Sequence, residues 1–250
     1  MKQQLICSVV LVLLAAANPA NALYIGASDG SLYELDVSTN SKTLIGNTGT
    51  MLDIALNPIT NTLYGVRSGS LYMIDTATAS TTLVGGSLSM NGLTFDSAGT
   101  LYGSGGSNLY TIDITTGSSS LVGFTGFTSS GDIAFDDAGN LFLSATGGSG
   151  SDQLVSLDAG TGAGTALGSF GFSAVYGLNF SDSTLYGFTL AGQTLSIDTS
   201  SGAATYLASN GIGAFGADGA GGVVDVPEPA SIAMLGLGLV ALGFSRRRKN

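Results

Sequence analysis

A five-residue pattern recurs along the chain at nearly even spacing. Leu32-Tyr33-Glu34-Leu35-Asp36 returns as Leu71-Tyr72-Met73-Ile74-Asp75 and as Leu109-Tyr110-Thr111-Ile112-Asp113. Two looser copies follow, Leu154-Val155-Ser156-Leu157-Asp158 and Thr194-Leu195-Ser196-Ile197-Asp198. Their aspartates lie 39, 38, 45 and 40 residues apart. Three more short apolar patterns accompany each copy. One is of Leu-Val-Gly type, as in Leu83-Val84-Gly85 and Leu121-Val122-Gly123. Another joins a small residue or Asp to a large apolar one, as in Asp53-Ile54-Ala55-Leu56 and Asp132-Ile133-Ala134-Phe135. The last reads Leu-Tyr-Gly, as in Leu63-Tyr64-Gly65 and Leu185-Tyr186-Gly187. Four short alternating strands separated by Gly-, Asp- and Ser-rich turns form a unit that must stack on its neighbours to bury both faces. The pattern predicts an all-β fold, a β-propeller of five four-stranded blades. A β-solenoid or an open sandwich fits the repeat length and spacing less well.

The repeat is out of phase at its ends. Leu23-Tyr24-Ile25-Gly26 opens it without a preceding small-residue strand, and Gly211-Ile212-Gly213-Ala214-Phe215 supplies that strand at the other end. A C-terminal strand completing the first blade closes the ring and removes its open edges.

Composition excludes several kinds of chemistry. The chain has no His, and Cys7 is its only cysteine. Imidazole-dependent triads and His- or thiolate-ligated metal sites are therefore ruled out. No catalytic residue, metal ligand set or cofactor is assigned. A net charge of −10 argues against a nucleic-acid partner, which needs a basic footprint. The basic residues gather at the two ends: only Lys42 and Arg67 lie among the 17 acidic residues between Asp29 and Glu228.

Both ends read as addresses. Residues 1–22 have Lys2, an apolar stretch from Leu5 to Ala17, and Ala20-Asn21-Ala22 before Leu23, the layout of a signal peptide cleaved between Ala22 and Leu23 by the export pathway. The propeller is expected over 23–222, followed by a linker at 223–229 that holds Pro227-Glu228-Pro229. An apolar helix at 230–245 and a basic cytoplasmic tail at 246–250 end the chain, with Arg246, Arg247, Arg248 and Lys249 as the stop-transfer cluster. The helix is shorter than the roughly 20 residues of an ordinary span, so it crosses only a thin stretch of bilayer.

The segment from Val226 to Asn250 resembles the PEP-CTERM sorting signal of Gram-negative, biofilm-forming bacteria: Pro-Glu-Pro, short apolar helix and basic tail occur in order. The resemblance implies that the chain is an exosortase substrate. It also implies export by the Sec machinery, anchoring in the inner membrane with a periplasmic propeller, and delivery to the cell surface or extracellular matrix. The repeats from Leu23 to about Asp218 resemble more loosely the YVTN- and NHL-type propellers, which bears on fold rather than function.

Candidate binding residues follow from the propeller reading. Asp53 and Asp132 start small-residue strands, expected to be innermost, and should face the mouth of the central channel, with Gly92 and Gly177 at equivalent places. Two carboxylates there suit a cation, a sugar hydroxyl or acid/base work, against the plainer reading of a solvated rim or turn. Asp29, Arg67, Asn108, Asp152 and Gln193 lie in loops expected on that same face. Phe124, Phe127, Phe170 and Phe172 form either a carbohydrate platform or fillers between blades. The repeat aspartates, with Asp96 and Asp136, read as turn caps. The expected function is a non-enzymatic structural or binding propeller associated with exopolysaccharide or surface proteins. The alternatives are a polysaccharide hydrolase or lyase and a lectin-like module.

Overall fold

The structure is a computed structural model that describes residues 22–219 except residue 149. The signal-peptide residues up to position 21, the Pro-Glu-Pro motif, the apolar helix and the basic tail lie outside the described residues. Twenty strands form five antiparallel four-stranded sheets. Blade 1 comprises β1 (Ala22–Ala27), β2 (Ser31–Asp36) and β3 (Ser41–Asn47). Blade 2 holds β4 (Asp53–Leu56), β5 (Leu63–Arg67), β6 (Ser70–Ile74) and β7 (Thr81–Gly85). Blade 3 holds β8 (Gly92–Phe95), β9 (Leu101–Gly105), β10 (Asn108–Ile112) and β11 (Ser119–Phe124). Blade 4 holds β12 (Ser129–Phe135), β13 (Leu141–Thr146), β14 (Asp152–Leu157) and β15 (Gly164–Ser169). Blade 5 holds β16 (Val175–Ser181), β17 (Thr184–Thr189), β18 (Gln193–Ile197) and β19 (Ala204–Ser209).

The last strand, β20 (Ala214–Gly219), pairs antiparallel with β1 and becomes the inner strand of blade 1. This is the expected ring closure, displaced by three residues. Residues 211–213 instead form the connection to β20: Gly211 has φ +66°, and the Gly213 carbonyl accepts a hydrogen bond from Ser28 N–H. All five sheets and the closing strand lie within 22–219.

The repeated pentapeptide has a packing logic. In a strand, alternate residues face opposite sides. Leu32 packs into the cluster shared with blade 2, whereas Tyr33 and Leu35 pack toward blade 5. Leu71 likewise faces blade 3 while Tyr72 and Ile74 face blade 1, and Leu109 faces blade 4 while Tyr110 and Ile112 face blade 2. The core is thus five apolar wedges, one between each pair of blades. The Asp that ends the pattern caps the following turn: Asp75 accepts from Ala77 N–H and Thr78 N–H at 2.9 Å each, and Asp158 does the same with Gly160 and Thr161.

The glycine of the Leu-Val-Gly pattern is a joint between blades. A Cβ at Gly123 would overlap the Thr161 carbonyl oxygen, and one at Gly168 that of Ser201, so the outer strand of one blade rests on the turn of the next. At the closing joint Ala208 stands in the glycine place. There Asn40 Nδ2 donates to the Ser209 carbonyl at 2.9 Å and Lys42 Nζ to that of Asn210 at 2.6 Å.

Candidate functional site: the axis and its two mouths

The inner strands β20, β4, β8, β12 and β16 contact one another around the axis. We call upper the face where they begin. Antiparallel pairing puts the turns between the second and third strands of each blade on that face too. Asp53 and Asp132 stand on inner strands as expected, but not at an open mouth: both are fully buried. Asp53 Oδ1 accepts from Ile54 N–H at 2.8 Å, and its Oδ2 crosses to Leu93 N–H of blade 3 at 2.6 Å. Asp132 repeats the arrangement with Ile133 at 2.7 Å and with Leu178 of blade 5 at 2.7 Å. Each carboxyl therefore latches its blade to the next.

The same register position reads Asp53, Gly92, Asp132, Gly177 and Gly216 around the ring. Glycine leaves room for the carboxyls: a Cβ at Gly216 would run into Asp53 Oδ1, and one at Gly92 would lie 2.7 Å from the Gly131 carbonyl oxygen. Across Gly92 the side chains of Asp53 and Asp132 hydrogen-bond to each other. Burial comes first among the causes that push the pair's titration well above the usual carboxylate range, followed for Asp53 by the neighbouring charge of Asp132. A shared proton and saturated oxygens make this pair an internal brace.

Two axial latches escaped the sequence. Asp218 on β20 accepts from Leu56 N–H of blade 2 and from Gly219 N–H, both at 2.8 Å. Burial raises its pKa to about 7, although part of the residue borders the lower mouth. Asn179 on β16 accepts from Gly219 N–H at 3.1 Å. The signal was weak because this position reads Ala55, Thr94, Ala134, Asn179 and Asp218, with no common chemistry. The match of Asn179-Phe180-Ser181 to a glycosylation sequon falls on that buried inner strand.

The other candidates are spread one per blade and do not converge. Asp29 caps its own turn through Ser31 N–H at 2.9 Å. The Arg67 guanidinium donates to the Thr48 carbonyl and lies 4.5 Å from the Tyr72 ring centroid. Asp152 is buried and accepts from Val175 N–H at 2.9 Å, another joint between blades. Gln193 N–H donates to Thr189 Oγ1 at 3.1 Å, and Asn108 is partly exposed at the start of β10. The four phenylalanines do not form a platform. Phe170 is core, Phe127 and Phe172 pack against neighbouring clusters, and only Phe124 is exposed.

A pocket lies at each end of the axis. The lower mouth, about 300 Å³, is bordered by Asp96, Asp136, Asp137 and Asp218. Asp96 and Asp136 are turn caps there, each accepting from two backbone N–H groups. Among the described residues no group of three acidic side chains is placed to hold a metal ion. The upper mouth, about 190 Å³, is lined by Leu52, Asn91, Ser130, Gly131, Tyr176 and Phe215. Tyr176 and Phe215 pack at a tilt of 59°, centroids 5.9 Å apart. None of the Asn91, Ser130 and Tyr176 side chains is held in a hydrogen bond to another described residue.

Ring, latches and closing strand define a five-bladed, four-stranded β-propeller. Residues 225–249 match the model of the PEP-CTERM protein-sorting motif, so the chain is a propeller that carries a PEP-CTERM sorting signal. That motif implies exosortase processing of an exported, membrane-anchored precursor. No curated protein matches the sequence. Among solved structures, a chain of a nidogen/laminin complex is similar at 13% identity, covering 78% of this chain and 82% of that one, TM-score 0.54. A protein from work on the de novo evolutionary emergence of a symmetrical protein reaches 21% identity over 78% and 93%, TM-score 0.54. The PQQ-bound aldose sugar dehydrogenase of Streptomyces coelicolor reaches 16% over 82% and 84%, TM-score 0.52. These likenesses show the fold alone.

Proposed function

We propose that this chain is a non-catalytic, surface- or matrix-directed binding propeller whose upper mouth takes a neutral saccharide, with exopolysaccharide as its natural setting. The observation that carries the reading is the division of labour along the axis. The carboxylates that a hydrolase would need are engaged with backbone N–H groups and with each other, whereas the upper mouth offers an aromatic pair beside free amide and hydroxyl groups. Tilted aromatic rings suit the C–H face of a sugar, and Asn91, Ser130 and Tyr176 suit its hydroxyls. The mouth holds no cationic side chain, so nothing in its lining offsets the charge of an anionic ligand in a chain of net charge −10. By this reading the Sec machinery exports the chain, its helix holds it in the inner membrane, and an exosortase then acts at Pro227-Glu228-Pro229. A glycan array followed by calorimetry tests the binding. Saturable binding of a neutral glycan, lost in Asn91→Ala and Tyr176→Ala proteins that melt like the parent, supports the proposal. No glycan bound, or bond cleavage in bound polysaccharide, refutes it.

A further inference from the structure

We propose that the outer edge of blade 3 is a self-association surface, on which a second copy of the chain docks its own β11 antiparallel to the first. The outer strands β3, β7, β11, β15 and β19 end their sheets, so backbone groups along their outer edges lack a ladder partner, apart from joints such as Gly164 N–H to the Thr125 carbonyl and Ala204 N–H to that of Phe170. Proteins commonly guard such edges with charge, yet Lys42 is the only charged residue on all five, in a chain with 17 acidic residues. Apolar side chains recur there instead. Leu44, Leu83 and Leu121 stand at one register station, opposite Tyr33, Tyr72 and Tyr110, and are 58%, 59% and 63% exposed. On β11 the pattern is strongest, because Phe124 adds a ring that is 68% exposed.

Charge selects the partner. The turn aspartates, such as Asp113, accept hydrogen bonds that hold them below the usual carboxylate range and therefore ionised. Elsewhere on the surface two copies repel, and the uncharged rim is where they can approach. A basic partner would be drawn to the acidic turns and lower mouth rather than to this edge. Charge also sets the direction of docking. Asp113 precedes the start of β11, so parallel strands would align two carboxylates, whereas antiparallel strands put them at opposite ends. For a six-residue strand that separation is about 20 Å, well beyond a Debye length of about 8 Å. An antiparallel pair of identical strands is isologous and closes as a dimer. Val122 is bulged out of the ladder between Leu121 and Gly123, which shortens the pairing stretch and makes the contact weak and reversible.

Analytical ultracentrifugation of the full chain in mild detergent tests this, since parent and variants share the same tail. The parent should dimerise, more strongly at high salt than at low salt. Leu121→Lys/Phe124→Lys protein should associate about tenfold or more weakly. Circular dichroism checks its fold. If that variant misfolds, Phe124→Ser alone should shift association in the same direction. Equal association of parent and folded variant, or association that weakens with salt, overturns the proposal.

Discussion

Asp218 makes the stability of the ring depend on pH in an unusual sense. Its carboxyl sits where the closing strand meets blade 2, and burial lifts its pKa from the ordinary 3.8 to about 7. A carboxyl whose folded pKa is raised stabilises the fold fully below the unfolded value and loses that contribution as pH climbs through the folded one. The window therefore runs from about pH 4 to about pH 7. Roughly three pKa units at 1.36 kcal/mol each give about 4 kcal/mol, and exposure to the lower mouth reduces this toward about 2. For a domain of this size the loss corresponds to a fall in Tm of about 5–15 °C between the two ends of the window. Asp53 and Asp132 titrate high for the same reason and add to the fall. Asp218→Asn separates the contributions. Asn179 already shows that an amide fits this register position, accepting through Oδ1 and donating Nδ2 to the Phe180 carbonyl at 3.0 Å. The variant should gain on the parent steadily from mildly acid to neutral pH in melts followed by circular dichroism. A parent Tm that is flat or rises with pH over that window, or a variant whose curve parallels the parent's, refutes the reasoning.

Other outcomes follow from the joints and latches. Below about pH 4 the trend should reverse, because the turn aspartates Asp36, Asp75, Asp113, Asp158 and Asp198 all titrate below their ordinary value through hydrogen bonds from their turns; a Tm that keeps rising into acid would contradict it. Gly123→Ala should cost about 2–3 kcal/mol in urea melts, since its Cβ meets the backbone of Thr161, whereas Gly148→Ala, with nothing within 4 Å, should cost almost nothing. Asp53→Ala should cost about 3 kcal/mol or more in the same assay by orphaning the buried N–H groups of Ile54 and Leu93; a loss under 1 kcal/mol would mean that the latch is not needed. Truncation before Ala214 removes β20 and with it one of the two strands paired with β1, and should abolish the cooperative melt.

The ring was readable because each blade solves one packing problem with the same letters. Leu32, Tyr33 and Leu35 divide between two neighbours as Leu71, Tyr72 and Ile74 do, and the spacing of the copies counts the blades. Ring closure was readable from the missing strand, though its position was three residues off because Gly211 and Gly213 resemble strand residues while serving a turn. The axis was only half readable. Asp53 and Asp132 stood out as charges within apolar strands, but whether a carboxylate faces solvent or a neighbour's N–H depends on residues 40 or 46 positions away. Asp218 and Leu56 are 162 apart, and no local pattern joins them. Phe170 and Phe124 look alike in sequence, yet one is core and the other is on the rim. The upper mouth is composed of one or two residues from each of the five blades, preceding or opening their inner strands, and no motif repeats among them.

Sorting is tested most directly by intact-mass spectrometry of this protein recovered from the cell surface or the surrounding matrix. An exosortase-processed propeller gives a mass that retains residues 23–219 and lacks the basic tail from Arg246 to Asn250. A surface protein whose C-terminus is intact contradicts processing at the motif, and a chain found only in the cytoplasm contradicts export altogether.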